Sequence, residues 1–450
     1  MSSTSILWLR RDLRLHDLPS LAAAAEHGKV LPVFVLDDRL LAESSVRTAC
    51  LLRALHSAQE SYDGHIVIRS GRAEDVLPEL ARQAGAATIH ISAESQPWGR
   101  IRDQRVRNAL VDDVELIATG SPYAVSPGTL YNKSNKPFQV FTPFSKAWRD
   151  HGWPGPADVP RHLAFADGLD GRDIPDPPVV DVDLPEVGER AALERWADFL
   201  DVIDHYDEAR DLPAVDGTSQ LSMHLKFGTV HPRTLLAEVD QRHRSHRRFA
   251  TELAWREFYA DVLWHNPESE WHDLKPGLQD IPYDDPETDQ AVAARFAAWR
   301  DGRTGFPFVD AGMRQLTATG WMHNRLRMVV ASFLTKDLHI WWPHGARYFM
   351  EWLRDGDPAS NSHGWQWTAG TGTDASPYFR VFNPVTQGLR FDPDGAFVRQ
   401  WIPELRHLDG KRAHEPWEHE DGYAHGYPER IVDHAVERDV TLERYGETKR

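Results

Sequence analysis

The sequence predicts an α/β amino-terminal domain on a parallel sheet, followed by a large all-α domain. Three observations carry this. Short β-branched runs alternate with helical stretches early in the chain. A Pro-, Asp- and Gly-rich connection follows at 152–185. Nearly everything after residue 189 is helical in pattern. At 450 residues the chain is too long for one ordinary core. The expected division is an α/β domain over 1–135, a connection over 136–190 and a helical domain over 191–450.

Residues 5–9 (SILWL), 30–36 (VLPVFVL), 65–69 (HIVIR) and 88–92 (TIHIS) read as strands. Residues 18–27, 45–59 and 73–84 between them read as helices. The order β-α-β-α-β implies a parallel, Rossmann-like sheet with helices on both faces, and such sheets bind ligands beyond their strand C-termini. No GxGxxG or GxxxxGK[ST] follows a strand, so a standard dinucleotide or P-loop site is not supported. The connection (GWPGPADVP, then IPDPPVVDVDLPEVG) cannot sustain regular structure. Helical patterns then cover 190–206, 232–241, 252–265, 290–302, 309–319 and 323–337. The tail beyond residue 423 is polar and charged, and reads as a surface helix or a fraying end.

Hydrophobic residues at 41% and charged residues at 26% are those of a soluble globular protein. The single cysteine, Cys50, excludes an intramolecular disulfide, a cysteine zinc cage and a cysteine-bound iron–sulfur cluster, and fits a reducing cytoplasm. The opening MSSTSILWLRRDLRL has no signal-peptide apolar core, and no apolar run is long enough for a membrane span. A net charge of −17 argues against non-specific coating of nucleic acid but leaves room for a local basic groove. The histidines show no spacing such as HExxH, so no metal is expected.

The stretch 320–379 is the most informative. It sets Trp321, Trp341, Trp342, Trp352, Trp365 and Trp367 among Asn324, Arg325, Arg327, Asp355, Asp357 and Asn361. Tryptophan stacks on flat ligands and can pass an electron, so the pattern suggests a pocket for a large, planar, charged cofactor. Four constellations point the same way. In 206–225 (YDEARDLPAVDGTSQLSMHL), Thr218, Ser219 and Ser222 bring hydroxyls to a helix expected to open after Gly217, which suits a phosphate. In ELAWREF, Glu252 and Trp255 share a helix face and would bind a base by stacking and hydrogen bonding. In NRLRM, Asn324, Arg325 and Met328 lie together, and Arg327 would pair with Asp355 or Asp357. In NSHGWQW, Trp365 and Trp367 would face opposite ways in an extended or turn-like chain. Taken alone, each is also met by ordinary structure: an N-cap, a Trp at a core edge, an interdomain salt bridge. Together and in this order they are specific.

Over essentially the whole chain these residues resemble the DNA photolyase/cryptochrome family, and most nearly its class I cyclobutane pyrimidine dimer photolyases. The opening LWLRRDLRLHDLPSL resembles the family signature, with Leu18 where Asn is usual. The segments GTLYNKSNKPFQVFTPFSKAW, GTSQLS, ELAWREFY, GRTGFPFVDAGMRQLTATGWMHNRLRM, DGD, GWQW and PYFRVFNP also match. The resemblance implies an antenna domain, a helical FAD-binding domain and light-driven repair of a dimer flipped out of UV-damaged DNA. It implies that Tyr206, Thr218, Ser219, Leu221 and Ser222 hold the FAD phosphates and ribityl chain. Arg327, Asp355 and Asp357 would sit by the isoalloxazine, with Asn361 near flavin N5. Asn there resembles photolyases, whereas plant cryptochromes tend to carry Asp and animal ones Cys.

Glu252, Trp255, Asn324, Arg325, Met328 and Trp367 match the family's dimer pocket. Relatives acting on the (6-4) photoproduct typically carry two His where this chain has Asn324 and Met328, so the cyclobutane dimer is favoured. Trp365 and Trp342 match the flavin-proximal members of the tryptophan triad. The third is expected ten residues before Trp299, where Asp289 stands. An insertion within IPYDDPETDQAVAARFAAW would put Tyr283 in its place, implying slower or rerouted photoreduction, with Trp341 or Trp352 as substitutes. Folate-binding relatives carry a Glu in the segment matching QPWGRIRD, where this chain has Gly99. That favours 8-hydroxy-5-deazaflavin over methenyltetrahydrofolate as an antenna chromophore. DNA contacts are expected from Arg325, Arg380, Arg390 and Arg399 of a monomer. A signalling cryptochrome would carry a long C-terminal extension and a damaged dimer pocket. A non-catalytic flavin- or strand-binding module would have lost Glu252 or Asn361.

Overall fold

The structure, a computed structural model, describes residues 3–26, 28–42, 44–111, 113–373 and 380–447. It forms two compact units. The first comprises Met1–Val180, Leu184–Asp204 and Ser219–Pro267; the second comprises Asp181–Asp183, His205–Thr218 and Glu268–Arg450.

In the first unit, strands β1 (Ser3–Leu9), β2 (Gly28–Leu36), β3 (Val67–Ser70), β4 (Thr88–Ile91) and β5 (Glu115–Ala118) form a parallel sheet in the order β3-β2-β1-β4-β5. Helices α1 (Pro19–Ala25), α2 (Ser45–Ser61), α3 (Ala73–Ala84) and α4 (Pro97–Ala109) connect the strands. In β1 the residues Ile6 to Leu9 are all buried, because both faces of the strand are covered. Leu7 and Leu9 join Cys50 and Leu55 of α2 in one apolar cluster. Ile6 and Trp8 join Leu77 and Leu80 of α3 in another. Strand order reverses between β1 and β4, the position at which such sheets bind ligands.

Two elements here are absent from the sequence expectation. The edge strand β5 is short. Helix α4 has a buried face of Gly99, Arg102, Asp103 and Val106, which hides its apolar period. Arg102 is held there by Asp103 and by the Trp8 and Trp98 rings, 4.7 and 5.1 Å from its guanidinium carbon. Leu18, where the resemblance expects Asn, is the N-cap residue of α1 and provides no side-chain cap. The connection is irregular but anchored: the Val30 N–H donates to Ala164 O, and Ala166 N–H donates to Val30 O.

The same unit holds α5 (Phe141–His151), α6 (Glu189–Leu200), α7 (Ser222–Phe227) and α8 (Arg244–His265). Helix α7 opens at Ser222 rather than just after Gly217, because Gln220 sits at φ 52° and holds the intervening residues in a turn. Helix α8 starts at Arg244 rather than at 252, since its first two turns are basic and show no apolar period.

The second unit is helical: α9 (Gln290–Arg300), α10 (Pro307–Thr319), α11 (Asn324–Ser332), α12 (Trp342–Trp352), α13 (Pro358–Ala369), α14 (Pro384–Phe391), α15 (Ala396–Trp401) and α16 (His434–Glu447). Its core includes Trp299, Phe306, Leu326, Val330, Trp342, Phe349 and Trp365. The continuous helix expected over 323–337 is α-helical only to Ser332 and widens into a π turn over Phe333–Asp337. The tail is more than a surface element. In α16, Thr441 and Tyr445 are buried, the Thr441 hydroxyl donates to Lys336 O, and the Tyr445 hydroxyl donates to Ala369 O.

Candidate functional site

Helix α11 begins under its own cap: His323 Nδ1 accepts the Arg325 N–H at 3.1 Å. Burial lowers the His323 pKa to about 4, opposed by the charge of Asp211 and helped by those of Arg325, Arg327 and Arg210, so the imidazole is neutral. One turn on, Arg327 donates to Met322 O at 2.8 Å and to Asp355 Oδ2 at 2.7 Å. The Asp355 Oδ1 is buried without a protein partner. Asp357 caps α13 by accepting the Ser360 N–H at 3.1 Å. Asn361, 9% exposed, donates through Nδ2 to Ala346 O at 3.0 Å, which fixes its amide and turns Oδ1 to external donors. A buried orphan carboxylate oxygen is costly unless a ligand completes it. A polar cofactor fits these residues.

Asn324, Arg325 and Met328 do lie together: both polar side chains come within 4.0 Å of the Met328 sulfur. Arg325 also binds Asp211 Oδ1 at 2.8 Å and lies 4.2 Å over the Phe391 ring, so its charge is already partly satisfied. Trp365 and Trp367 belong to helix α13, not to extended chain. Two helical positions rotate a side chain by about 200°, so they still face opposite ways. Trp365 is buried with its indole N–H unpartnered, while Trp367 is half-buried.

Trp342 is buried and donates to Asp273 Oδ1 at 2.8 Å, and Trp341 donates to Oδ2 of the same carboxylate at 3.0 Å. Asp273 escaped the sequence reading because no motif contains it. Asp289, standing at the expected third tryptophan position, caps α9 by accepting the Ala291 and Val292 N–H groups. The Tyr283 hydroxyl is buried against that of Tyr445, and burial, then the charges of Tyr445 and Asp273, push its pKa well above the usual phenol value. A second ring chain leads from Trp365: to Trp299 at 6.1 Å, on to Tyr348 at 5.7 Å, then to Trp352 at 6.3 Å.

Tyr206 is buried with the Arg210 guanidinium over its ring, and Thr218 is half-buried. In the first unit the Ser219 hydroxyl accepts the Leu221 N–H at 3.4 Å, while Arg195 holds Ser219 O at 3.0 Å. Leu221 is buried and Ser222 is exposed at the start of α7, which no side chain caps. Such an end offers N–H groups to an anion.

On α8, Glu252 lies 3.7 Å from Arg248, and Trp255 is half-buried with Phe141 stacked on it at 3.6 Å and 7° between planes. Glu257, one turn on, accepts the Val125 N–H at 3.0 Å and the Trp148 indole at 2.5 Å. Its burial raises its pKa to about 7 against those hydrogen bonds. Neither Phe141 nor Glu257 was marked in the sequence, since apolar and acidic residues at these spacings are common in any helix.

At the strand-order reversal, Arg10, Arg11, Asp12, Ser92, Ala93, Glu94 and Pro122 line a depression beyond β1 and β4. A Cβ at Gly99 would lie 2.1 Å from Glu94 Cγ, so the Glu94 side chain fills the space a residue there would need. Burial alone would raise the Glu94 pKa, but Arg11, Arg102 and Arg10 more than offset it and lower the value. Of the arginines expected at DNA, Arg380 and Arg390 are exposed and Arg399 pairs with Asp409 at 2.5 Å. Among the described residues, Asp204, His243 and His246 form one cluster of metal-ligand type. There His246 Nδ1 accepts the Asp240 N–H at 3.1 Å, leaving Nε2 protonated toward Asp204 at 2.8 Å, which suits a hydrogen bond and not a metal.

Family models match twice: "FAD binding domain of DNA photolyase" over residues 249–447 and "DNA photolyase" over residues 5–162. The chain is 38% identical over 475 residues to the deoxyribodipyrimidine photo-lyase of Agrobacterium fabrum, covering 99% of this chain and 98% of that protein. Among solved structures, a bacterial class III photolyase from Agrobacterium tumefaciens superposes with a TM-score of 0.91 at 35% identity, covering 100% of this chain and 98% of that one. A cryptochrome from Synechocystis sp. PCC6803 gives 0.89 at 29% identity, covering 98% and 99%.

Proposed function

The chain belongs to the DNA photolyase family, and from that premise we propose that it is a light-dependent lyase that splits cyclobutane pyrimidine dimers in DNA. What FAD supplies when bound is light absorption and the electron that opens the cyclobutane ring, returned once two carbon–carbon bonds have broken. The protein's part is to hold, orient and exclude. The observation that carries the reading is the Arg327–Asp355 pair with its one unpartnered, buried carboxylate oxygen, beside Asp357, which caps the helix that presents Asn361. These four residues would hold the isoalloxazine, with Asn361 Oδ1 as an acceptor offered to it. Tyr206, Thr218, Ser219, Leu221 and Ser222 hold the phosphates and ribityl chain.

For the lesion, each unit has its own residues. Trp255 stacks on a dimer base and Glu252 binds its polar edge. In the second unit, Asn324, Arg325, Met328 and Trp367 are the residues assigned to the lesion. A dimer has already lost normal stacking, so flipping it out costs less than flipping a healthy base. Trp365, Trp342 and Tyr283 would serve as the relay that passes electrons inward. A deazaflavin-type antenna is favoured by Gly99, whose side-chain space Glu94 fills. The protein acts as a cytoplasmic monomer on UV-damaged DNA.

Likeness to a cryptochrome favours a second reading, light sensing without repair. Retention of Glu252, Trp255, Asn324, Met328 and Trp367 weighs against it. Light-dependent splitting of a thymine dimer in an oligonucleotide tests the proposal. Reduced wild-type protein splits it under blue light and not in the dark, and absence of splitting returns the sensing reading.

A further inference from the structure

Trp255 and Phe141 lie at a ring separation of 3.6 Å with 7° between their planes, much closer than the other stacked ring pairs among the described residues, such as Trp196–Phe249 at 5.2 Å. That distance is the contact thickness of two aromatic rings, so almost no lateral offset remains and one face of the indole is covered. Phe258 meets the indole edge at 5.8 Å and 73°, and meets Phe141 at 5.8 Å and 69°. Phe141 is the first residue of α5 and is 8% exposed, whereas Trp255 is half-buried. The chain leading to α5 is tied down at Gly128, whose N–H donates to Asp261 Oδ1 at 2.7 Å. One buried ring thus backs a second, half-buried ring, which Tyr259 also meets at 5.5 Å and 46°.

We propose that Phe141 is a positioning residue for lesion recognition: it blocks one face of Trp255 and fixes the plane on which a dimer base stacks. The proposal rests on the reading that Trp255 contacts the lesion. An indole free to turn about its side-chain bonds would lose that freedom on binding, and a pre-stacked indole has already lost it. Phe141 acts through Trp255 and touches neither cofactor nor lesion. If it served core packing alone, its loss would lower melting temperature and leave the preference for damaged DNA unchanged.

The test uses FAD-loaded protein and measures dissociation constants for a duplex with one thymine dimer and for the same duplex undamaged. Phe141→Leu and Phe141→Met remove the ring while keeping apolar bulk, and each should weaken dimer binding roughly three- to tenfold, the worth of one aromatic pair. Affinity for undamaged duplex and splitting per photon at saturating protein should stay at wild-type values. Phe141→Tyr should restore dimer affinity. In a Trp255→Ala background, Phe141→Leu should add nothing. A wild-type preference for the dimer in both ring-less variants overturns the proposal, as does additivity of the Phe141 and Trp255 effects. Wild-type dimer affinity of Trp255→Ala itself instead removes the underlying reading that Trp255 faces the lesion.

Discussion

Arg327 binds Asp355 at 2.7 Å through one carboxylate oxygen only, and the second oxygen is buried without a partner. A pair built for stability alone would use both oxygens, since a bidentate fork is the stronger geometry. Asp355→Asn keeps shape but removes the charge that holds Arg327. It should weaken FAD retention roughly ten- to a hundredfold, the cost of losing a charge-assisted bond. Flavin absorbance per chain after gel filtration checks this, and full retention would detach the pair from the cofactor.

Tyr283 is a poor place to leave an electron hole. An oxidised phenol must shed its proton, and the hydroxyl buried beside this one, that of Tyr445, directs its own proton to Ala369 O. If Tyr283 ends the relay, photoreduction of oxidised flavin should slow in deuterium oxide, and Tyr283→Phe should slow it severalfold and abolish that isotope effect. Splitting by pre-reduced protein should not change. An unaffected Tyr283→Phe protein together with a slowed Trp299→Phe protein would move the exit to the chain through Tyr348 and Trp352.

Glu257 makes the first unit sensitive to pH. Its folded pKa of about 7 lies above the usual 4.5, so the native state holds a proton that the unfolded chain has lost between these values. Its contribution to stability is complete below about pH 4.5 and is lost as pH rises through about 7, a change on the order of 3 kcal/mol. Subtracting the Glu257→Gln melting profile from that of wild type should isolate this slope. Two parallel profiles would refute it.

Arginine charge at DNA should be unequal. Arg325 is paired with Asp211 at 2.8 Å, whereas Arg390 is exposed with the Phe391 ring beside it. If both meet phosphates, Arg390→Ala should flatten the salt dependence of binding by about one unit of slope, and Arg325→Ala by less. Binding titrations from 50 to 200 mM salt (about the range over which such slopes are read) separate the two.

Legibility in the sequence follows from what each element buries. Strands β1 and β2 declare themselves because both faces are apolar. Helix α4 and the first turns of α8 do not, because arginines there lie on rings, pair with acids or face solvent. Arg327 could be paired with the DGD acids from charge alone, and Asn324, Arg325 and Met328 grouped from helical spacing. Asp273 and Phe141 could not be found that way. Each acquires meaning only from a partner far along the chain, Trp342 in one case and Trp255 in the other. The opposite facing of Trp365 and Trp367 was reached from the wrong backbone, since alternation in a strand and a 200° step in a helix give nearly the same answer (about 180° against about 200°).

Gly345 sets two effects of opposite sign against each other. On exposed helix, Gly to Ala gains about 1 kcal/mol from backbone entropy. Here an added Cβ would lie 2.3 Å from the Trp365 ring and 2.5 Å from Leu334 Cδ2, inside any tolerable contact. Overpacking of this kind costs about 1–3 kcal/mol and moves the ring. Gly345→Ala should therefore lower the melting temperature and slow flavin photoreduction, because Trp365 is displaced from its place against Trp299 and Phe349. A raised melting temperature with unchanged photoreduction would mean that α12 shifts away from α13 at little cost, and that the tryptophan does not depend on this close approach for its position.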